Sequence, residues 1–377
     1  LDTEYFNYRS HKAEGWWDRR TFVHKWWQLQ ARDRRWVPPL YDRLWRALVS
    51  PACLYLAAQP PQLFHLEALA RRRQRTETPL GALSFSGAWM EEPVAVTALL
   101  DGRAAAPGVA YLALLHAVNH VETMERLWGE LLEMLWGTGR RQVIGPTGLS
   151  PLLPAGALQN YFHVTPPLHT PYNPPYLPEV LESVMKPVQE FELYHAAVAE
   201  AESLQRDRVQ IEPFVPQRLA QDLLPLFVAA VQGLEDAGPP DAAEVTFVLD
   251  WLQSGPLYGW LASVAGAPVG FVLLQPDLAS SVRRAGGGRN WAWRLWLAWR
   301  SRQPVRAGRM LYGGVLPPWR RQGIGRRLWD HGLALAHQLG WRTLTVGPVP
   351  SDSAAAHFLR QQGAEPRQRY LLYGGDL

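Results

Sequence analysis

The sequence predicts an α/β protein of two tandem lobes, each a mixed, mostly antiparallel sheet flanked by helices. Three observations carry this. At 377 residues the chain is long enough for two ordinary domains with buried cores. Hydrophobic content of 47% with 19% charged residues is that of a globular protein and not of a disordered one. Most tellingly, the chain repeats an order of elements. Residues 140–151, RRQVIGPTGLSP, echo residues 342–353, RTLTVGPVPSDS: a basic start, a β-branched strand, then Gly-Pro and a turn. A helical segment precedes each, at 122–136 and 326–339, and an apolar strand precedes each helix, at 109–115 and 309–315. Each half then ends on an aromatic strand, FELYHA at 191–196 and RYLLYG at 369–374. Strand–helix–strand–helix–strand appearing twice argues for duplicated lobes. The spans are 1–197 for the first lobe, 198–212 for a charged linker and 213–377 for the second lobe.

Composition excludes several classes. Every apolar run is interrupted by Arg or Asp before it reaches the length of a membrane span. The first residues, LDTEYFNYRSHK, lack the apolar core of a signal peptide. One cysteine, Cys53, cannot form an internal disulfide, so a reducing cytoplasm is the expected setting. Of 38 basic residues all but Lys12, Lys25 and Lys186 are arginine, yet a net charge of +4 gives no clear nucleic-acid signal. Arg71–Arg72–Arg73 reads as a solvated helix face. His116 and His120 are four apart, but no Glu lies between them and no third ligand is evident, so no metal is expected.

In the second lobe, 213–233 has helical spacing at Leu219, Leu223, Leu226 and Phe227. Residues 257–275 form a hairpin signal, two apolar runs joined by Ala-Gly-Ala-Pro. In 309–317, RMLYGGVLP, the strand formers Leu311, Tyr312 and Val315 enclose Gly313–Gly314, which suggests a bulge or a close backbone approach there, and Pro317–Pro318 end the ladder. Leu328, Leu333, Leu335 and Leu339 then recur at roughly helical spacing until Gly340. The loop between, VLPPWRRQGIGRRL at 315–328, thus joins a strand to a helix N-terminus, where unpaired N–H groups and the dipole favour an anion. A Walker loop would need Lys-Ser or Lys-Thr after the second glycine, where Arg326–Arg327 stand; a dinucleotide fingerprint would need a third glycine at Leu328.

What the loop does contain is Arg320-x-x-Gly323-x-Gly325 after Val-x-Pro, and this resembles the acyl-CoA diphosphate loop of the GNAT acyltransferase superfamily. The segments RDRRWVPPLYDRLW at 32–45 and TPYNPPYLPEVLE at 170–182 look like those of tandem GNAT-like proteins related to the YghO group, from about Trp26 to the C-terminus. The resemblance implies acetyl-CoA or another acyl-CoA as co-substrate, held by Val315, Leu316, Arg320, Arg321, Gln322, Gly323, Ile324, Gly325, Arg326 and Asp352, with a backbone N–H near Val315 for the thioester carbonyl. It implies direct transfer to a small-molecule or peptide amine, with transfer to aminoacyl-tRNA as a weaker option; the oligomeric state stays open. The first lobe, whose strand runs into HAVNHVETM with no arginine–glycine loop, is expected to be a degenerate partner.

The family's next helix reads Asn-x-x-Ala-x-x-Phe-Tyr-x-x-x-Gly, the Tyr protonating the leaving thiolate. Here Asp352, Ala355, Phe358 and Gly363 align, but Leu359 occupies the Tyr position. A leucine has no proton to give. Substitutes are Tyr312 on the central strand, His357 on the same helix and Tyr370 on the closing strand, where Tyr370 and Tyr373, three apart, face opposite sides. Two functions therefore remain: an acyl-CoA-dependent N-acyltransferase transferring acetyl to an amine, or a non-catalytic acyl-CoA- or ligand-binding protein. Against the family's short hairpin turn, NWAWRLWLAWRSR at 290–302 is an insertion, with Trp291, Leu295 and Trp299 on one helical face; it reads as a packing helix, as a lid over an acyl chain or aromatic acceptor or, more weakly because it is short, as a membrane-surface segment.

Overall fold

β-Branched and aromatic runs become strands in the computed structural model, which describes residues 3–49, 56, 60–72, 76–77, 83–84, 90–100, 108–198, 209–214, 223–227 and 240–377. The first half contains β1 (Thr3–Ala13), α1 (Trp16–Gln30), α2 (Tyr41–Leu48), β2 (Gln62–Arg72), β3 (Thr76–Glu77), β4 (Leu83–Ser84), β5 (Met90–Leu100), β6 (Val109–Ala117), α3 (Val121–Leu135), β7 (Gln142–Thr147), β8 (Ala157–Leu158), α4 (Leu177–Glu182) and β9 (Lys186–Ala197). The second half follows with β10 (Gln210–Pro213), α5 (Ala242–Leu252), β11 (Tyr258–Val264), β12 (Ala267–Pro276), α6 (Ala279–Arg284), α7 (Trp291–Arg300), β13 (Ala307–Val315), α8 (Ile324–Gln338), β14 (Thr343–Pro350), α9 (Ala354–Gln361) and β15 (Glu365–Asp376). Residues 223–227 are helical as well. Cys53, Arg73 and most of the 198–212 segment lie outside the described residues; the end of that segment enters β10, and Arg71–Arg72 belong to a strand, not to a helix.

The duplication is visible in the pairing. Each half has an antiparallel meander, β1–β2–β5–β6 in one and β10–β11–β12–β13 in the other. In each a helix then carries the chain to a parallel neighbour, α3 between β6 and β7, α8 between β13 and β14, as a parallel pair requires. Val109–Ala117 and Ala307–Val315 correspond, as do the strands holding Val143–Ile144 and Thr345–Val346. Ala265–Gly266 turns the β11–β12 hairpin with both residues at positive φ, the geometry that matches strand twist.

The closing strands depart from expectation. FELYHA and RYLLYG do not close the halves that encode them. β15 inserts between β7 and β9, and β9 pairs on its other side with β14. The result is one continuous sheet in the order β1–β2–β5–β6–β7–β15–β9–β14–β13–β12–β11–β10, with β8 on β15. The order reads alike from both ends, a pseudo-two-fold arrangement about the β9–β15 ladder. That ladder runs from Glu365 opposite His195 to Gly374 opposite Lys186. An interior strand is covered on both faces, so Tyr370 and Tyr373 point to opposite sides and both are fully buried. At Gly375 a Cβ would lie 2.5 Å from the Trp128 ring, so glycine is needed for α3 to close over β15.

The hydrophobic core follows the sheet. One cluster extends from Phe22 and Trp26 through β5–β7 to Phe227, Val248, Phe271 and Leu372, so it draws on both halves. A second lies under α8, with Ile324, Leu328, Trp329 and Ala336 against Leu274, Met310 and Leu344. A third joins the halves around α7: Leu297 with partly buried Trp293 and Trp296 packs on Leu278, Val282, Leu168, Val37 and Leu40. This face, and not the Trp291–Leu295–Trp299 stripe, is the packed one; those three side chains are 75%, 62% and 56% exposed. Among the described residues no helix is long and apolar enough to cross a membrane.

Two outcomes are expected. Leu372→Ala, in the exchanged strand, should cost about 2–5 kcal/mol and lower a single unfolding transition that reports both halves at once. Scanning calorimetry with hydrogen exchange in β7 and β14 checks this; independent melting of the halves would refute a shared cooperative unit. Trp296→Ala should lower thermal stability by about 2–3 kcal/mol, measured by denaturant titration, since its ring packs between the halves.

Candidate active site

The central strand of the second half ends in an opening. β13 pairs with β14 only from Ala307 to Met310, opposite Thr343 to Val346. It stays paired with β12 as far as Val315. From Leu311 onward one edge of β13 therefore faces a V-shaped gap, while β14 follows β9 with a register shift between Val346 and Val349. The irregularity in β13 is at Leu311, which is skipped between the Tyr312–Leu273 and Met310–Leu274 pairs. The bulge thus lies two residues before the expected Gly313–Gly314, which remain in register opposite Val272 and Phe271. A bulge at the root bends the strand away from its parallel neighbour, whereas glycines beyond it merely leave the wall bare.

Backbone direction along the gap follows from alternation. Leu316 N–H donates to Val269 O at 2.9 Å, so Val315 directs its own N–H and C=O to the opposite edge, toward the gap. Consistently, Val315 O accepts from Arg320 Nε at 3.0 Å. Pro317–Trp319 form a 3-10 turn, and Gln322 Nε2 donates to Pro318 O at 3.1 Å. Arg321 (φ 61°) and Gly323 (φ 78°) both adopt the left-handed region, which turns the chain into α8. A side chain at Gly323 would be disfavoured by backbone conformation alone, there being open space around it.

α8 begins with no side-chain cap, and its first intrahelical bond is Arg327 N–H to Gly323 O at 3.1 Å. The N–H groups of Ile324, Gly325 and Arg326 thus stand outside the helical ladder at its positive end. No acid occupies the first turn, while Arg320, Arg321 and Arg326 are exposed around it. The arrangement is that of an anion cradle beside a strand opening. Arg327 turns aside and donates to Val209 O at 3.4 Å.

The first half repeats the opening without the cradle. β6 is bulged at Leu114–Leu115, with Leu114 at φ 54°, and its parallel pairing with β7 ends at Ala113. Yet Tyr176 Oη donates to Ala117 O at 3.2 Å across that end, and the following helix α3 carries Glu122 in its first turn. A diphosphate would meet a carboxylate there. His116 is buried near the strand end, and His120 precedes α3, where its Nδ1 lies 3.3 Å from both Tyr8 Oη and Thr123 Oγ1.

The three proposed proton donors are not brought together. Tyr312 is half-buried against Phe227, and its hydroxyl, turned inward, donates to Leu152 O at 2.6 Å; desolvation pushes its phenol well above the usual range. Tyr370 is fully buried in the exchanged strand, its phenol likewise pushed up by burial. His357 is exposed on α9, with Nε2 2.9 Å from Gln361 Nε2. Asp352 is exposed just before α9, whose N-cap is Ser353 accepting from Ala356 N–H at 3.2 Å. Leu359 is buried in the cluster beneath α8.

Several polar residues of the region were not singled out from sequence. Arg309, 2% exposed at the root of the gap, donates from Nη2 to Gly347 O at 2.8 Å, and burial lowers its pKa while Asp277 opposes that shift. Asp277 accepts from Ala279 N–H at 2.9 Å and Leu168 N–H at 3.2 Å, burial nevertheless raising its carboxyl pKa. Glu244 accepts from Ser150 Oγ at 2.6 Å, and Ser150 Oγ in turn accepts from Leu152 N–H at 3.1 Å, next to the carbonyl that holds Tyr312. On the far wall Tyr194 donates to Glu192, which also pairs with Arg360. A charge inside an otherwise apolar run, Arg309 in RMLYGGV or Glu244 in AAEVTFVL, was the available signal.

Comparison with known proteins agrees with this geometry. The sequence pattern of the Acetyltransferase (GNAT) family matches residues 221–364. A search of curated proteins finds no match. Among solved structures, a tandem GNAT protein from the clavulanic acid biosynthesis pathway, determined without AcCoA, superposes with a TM-score of 0.56 at 11% identity, covering 98% of both chains. A probable N-acyltransferase of unknown function from Enterococcus faecalis V583 gives 0.57 at 8% identity, covering 99% of this chain and 72% of its own. The glucosamine N-acetyltransferase region of a fungal multi-domain β-N-acetylglucosaminidase gives 0.54 at 13% identity, covering 98% of this chain and 38% of its own. These identities speak to the fold of the whole chain and not to a subgroup within the superfamily. Residues 221–364 match the Acetyltransferase (GNAT) family, and the chain as a whole has the fold of a tandem GNAT protein.

Proposed function

We propose that the protein is an acyl-CoA-dependent N-acyltransferase that moves an acetyl group to a small-molecule or peptide amine, in a cytoplasmic setting, with residues 213–377 as the working lobe. The observation that carries this is the pairing of an uncapped, acid-free helix N-terminus with a split strand edge. In this reading the N–H groups of Ile324, Gly325 and Arg326 receive the diphosphate, and Arg320 and Arg321 add charge. Gln322 and Leu316 shape the turn, and Asp352 borders the cofactor's far end. Residues 1–197 supply the opposing wall, through the Ser150–Leu152 contact to Glu244 and Tyr312.

Acetyl-CoA supplies the activated acyl group when bound. The Val315 N–H, directed into the gap, donates to the thioester oxygen as negative charge develops there. The uncharged amine attacks the carbonyl carbon, the C–S bond breaks, the nitrogen loses its proton to water, and the CoA thiolate gains one. With Leu359 buried where the family places a tyrosine, water at the open end of the gap provides that proton. The same leucine supports a second reading, a non-catalytic acyl-CoA-binding protein, which turnover assays separate from the first.

Calorimetric titration with acetyl-CoA is expected to give one site per chain. Gly323→Glu should weaken binding at least about tenfold, because it places an L-residue at positive φ and a carboxylate at the anion site. Two equivalent sites, or unchanged affinity in the variant, would remove the basis of the assignment. Thiol release with a panel of amines should exceed the amine-free rate; binding without release on any amine would favour the non-catalytic reading. His357→Ala should leave turnover within about twofold, since an exposed imidazole engaged by Gln361 contributes little. A large loss of kcat in that variant would make His357 a proton-transfer group.

A further inference from the structure

α7 breaks the ordinary rule for helices at a surface. It is ten residues long, WAWRLWLAWR, and only Arg294 and Arg300 are polar. A helix apolar on nearly all sides belongs in an interior. Here one face is satisfied, with Trp293, Trp296 and Leu297 against the junction of the two halves. The other is not: Trp291, Leu295 and Trp299, spaced four apart, form a stripe along the helix and stand 75%, 62% and 56% exposed. The packing role of α7 accounts for the first face only.

Charge identifies what the second face meets. From Leu278 to Arg306 there is no acidic residue, while arginines occur at 283, 284, 289, 294, 300, 302 and 306. All of these but Arg300 are exposed, and none forms an ion pair among the described residues. The cationic field continues past α6, where Arg284 lies over the Trp296 ring at 5.8 Å, and past the glycine turn, where Arg289 lies over Trp27 and Tyr41. Asp277, the nearest acid in sequence, is turned inward onto the Ala279 and Leu168 N–H groups. Indole rings at the ends of an apolar stripe, a leucine between them and arginines on the flanks are the features that seat a helix at a lipid headgroup boundary. Single-stranded nucleic acid would use the arginines and rings but leaves Leu295 without a counterpart.

We propose that the Trp291–Leu295–Trp299 face of α7 docks the protein on an anionic lipid surface, peripherally and in the plane of the headgroups. The proposal is independent of acyl transfer. It is tested by sedimenting the full chain with vesicles of phosphatidylcholine alone or with about one-third phosphatidylglycerol, a fraction that gives a negative surface. Partition should be about tenfold or more stronger on the anionic vesicles, and should fall about tenfold in a Trp291→Ser, Leu295→Ser, Trp299→Ser variant. That variant should keep the parent's thermal transition, because the three side chains are exposed. Trp136→Ser, at an 88% exposed tryptophan on another helix end, should bind like the parent. Equal partition onto neutral vesicles, undiminished binding by the triple variant, or an equal loss in Trp136→Ser would each overturn the proposal. So would absence of vesicle binding with the stripe instead driving dimerisation, seen by sedimentation velocity, or binding a single-stranded RNA.

Discussion

Everything in this chain is arranged around the ladder between β9 and β15. Two strands encoded at 186–197 and 365–376 exchange places, so each completes the sheet of the half that did not encode it. Had each closed its own half, two sheets would have met through side chains alone, and relative motion of the halves would be the default. Backbone hydrogen bonds now run without interruption from β1 to β10. The exchange also explains why polar groups of one half are completed by the other. Tyr312 donates a hydrogen bond to the carbonyl of Leu152, and Glu244 accepts one from Ser150. Such buried groups are costly unless satisfied, so these contacts require the halves to sit in one register.

Within that frame the two halves differ by local electrostatics more than by shape. Both central strands carry a bulge, after Ala113 and at Leu311, and in both the pairing with the parallel neighbour ends where the bulge begins. An opening alone does not bind a diphosphate. What distinguishes the second half is that its next helix starts at a left-handed glycine, without a side-chain cap, beside exposed arginines. The first half starts its helix after His120 with Glu122 in the first turn, and a tyrosine hydroxyl already bridges the strand end. A fixed carboxylate near helix N–H groups competes for the same positive potential an anion would use.

Much of this was legible before any coordinates, and the limits have physical causes. Local signals were reliable: the Gly-Pro echoes, the hairpin turning on Ala265–Gly266, and the loop from Val315 to Arg326 all appear where their residues placed them. These depend on φ preferences and period, which the chain carries locally. Which strand pairs with which is not local. FELYHA and RYLLYG read equally well as closing their own halves, since an alternating pattern specifies a face and not a partner. The bulge lies at Leu311, two residues before Gly313–Gly314, because glycine permits an irregularity or a close approach without requiring a bulge. Arg309 and Glu244 escaped notice because a lone charge in an apolar run can mark a strand edge, a helix boundary or a buried pair, and only tertiary contacts decide.

The position of α7 decides between the two roles its tryptophans could play. It leads into β13 at Ala307, whereas the gap opens at Leu311 and the Val315 N–H and the anion cradle lie at the strand's other end. Eight residues of strand separate them, roughly 26 Å at an ordinary strand rise. A lid over the thioester would have to lie at the other end of the strand. The helix instead anchors itself between the halves by Trp293, Trp296 and Leu297. The remaining indoles, Trp291 and Trp299, therefore stand exposed outside that seat. One strand thus connects two surfaces of different chemistry: a polar, arginine-lined loop at its C-terminal end and an apolar, arginine-flanked helix before its N-terminal end. Contact at the second leaves the first open to a diffusing ligand, which is the geometry a peripheral enzyme needs to exchange its co-substrate while attached.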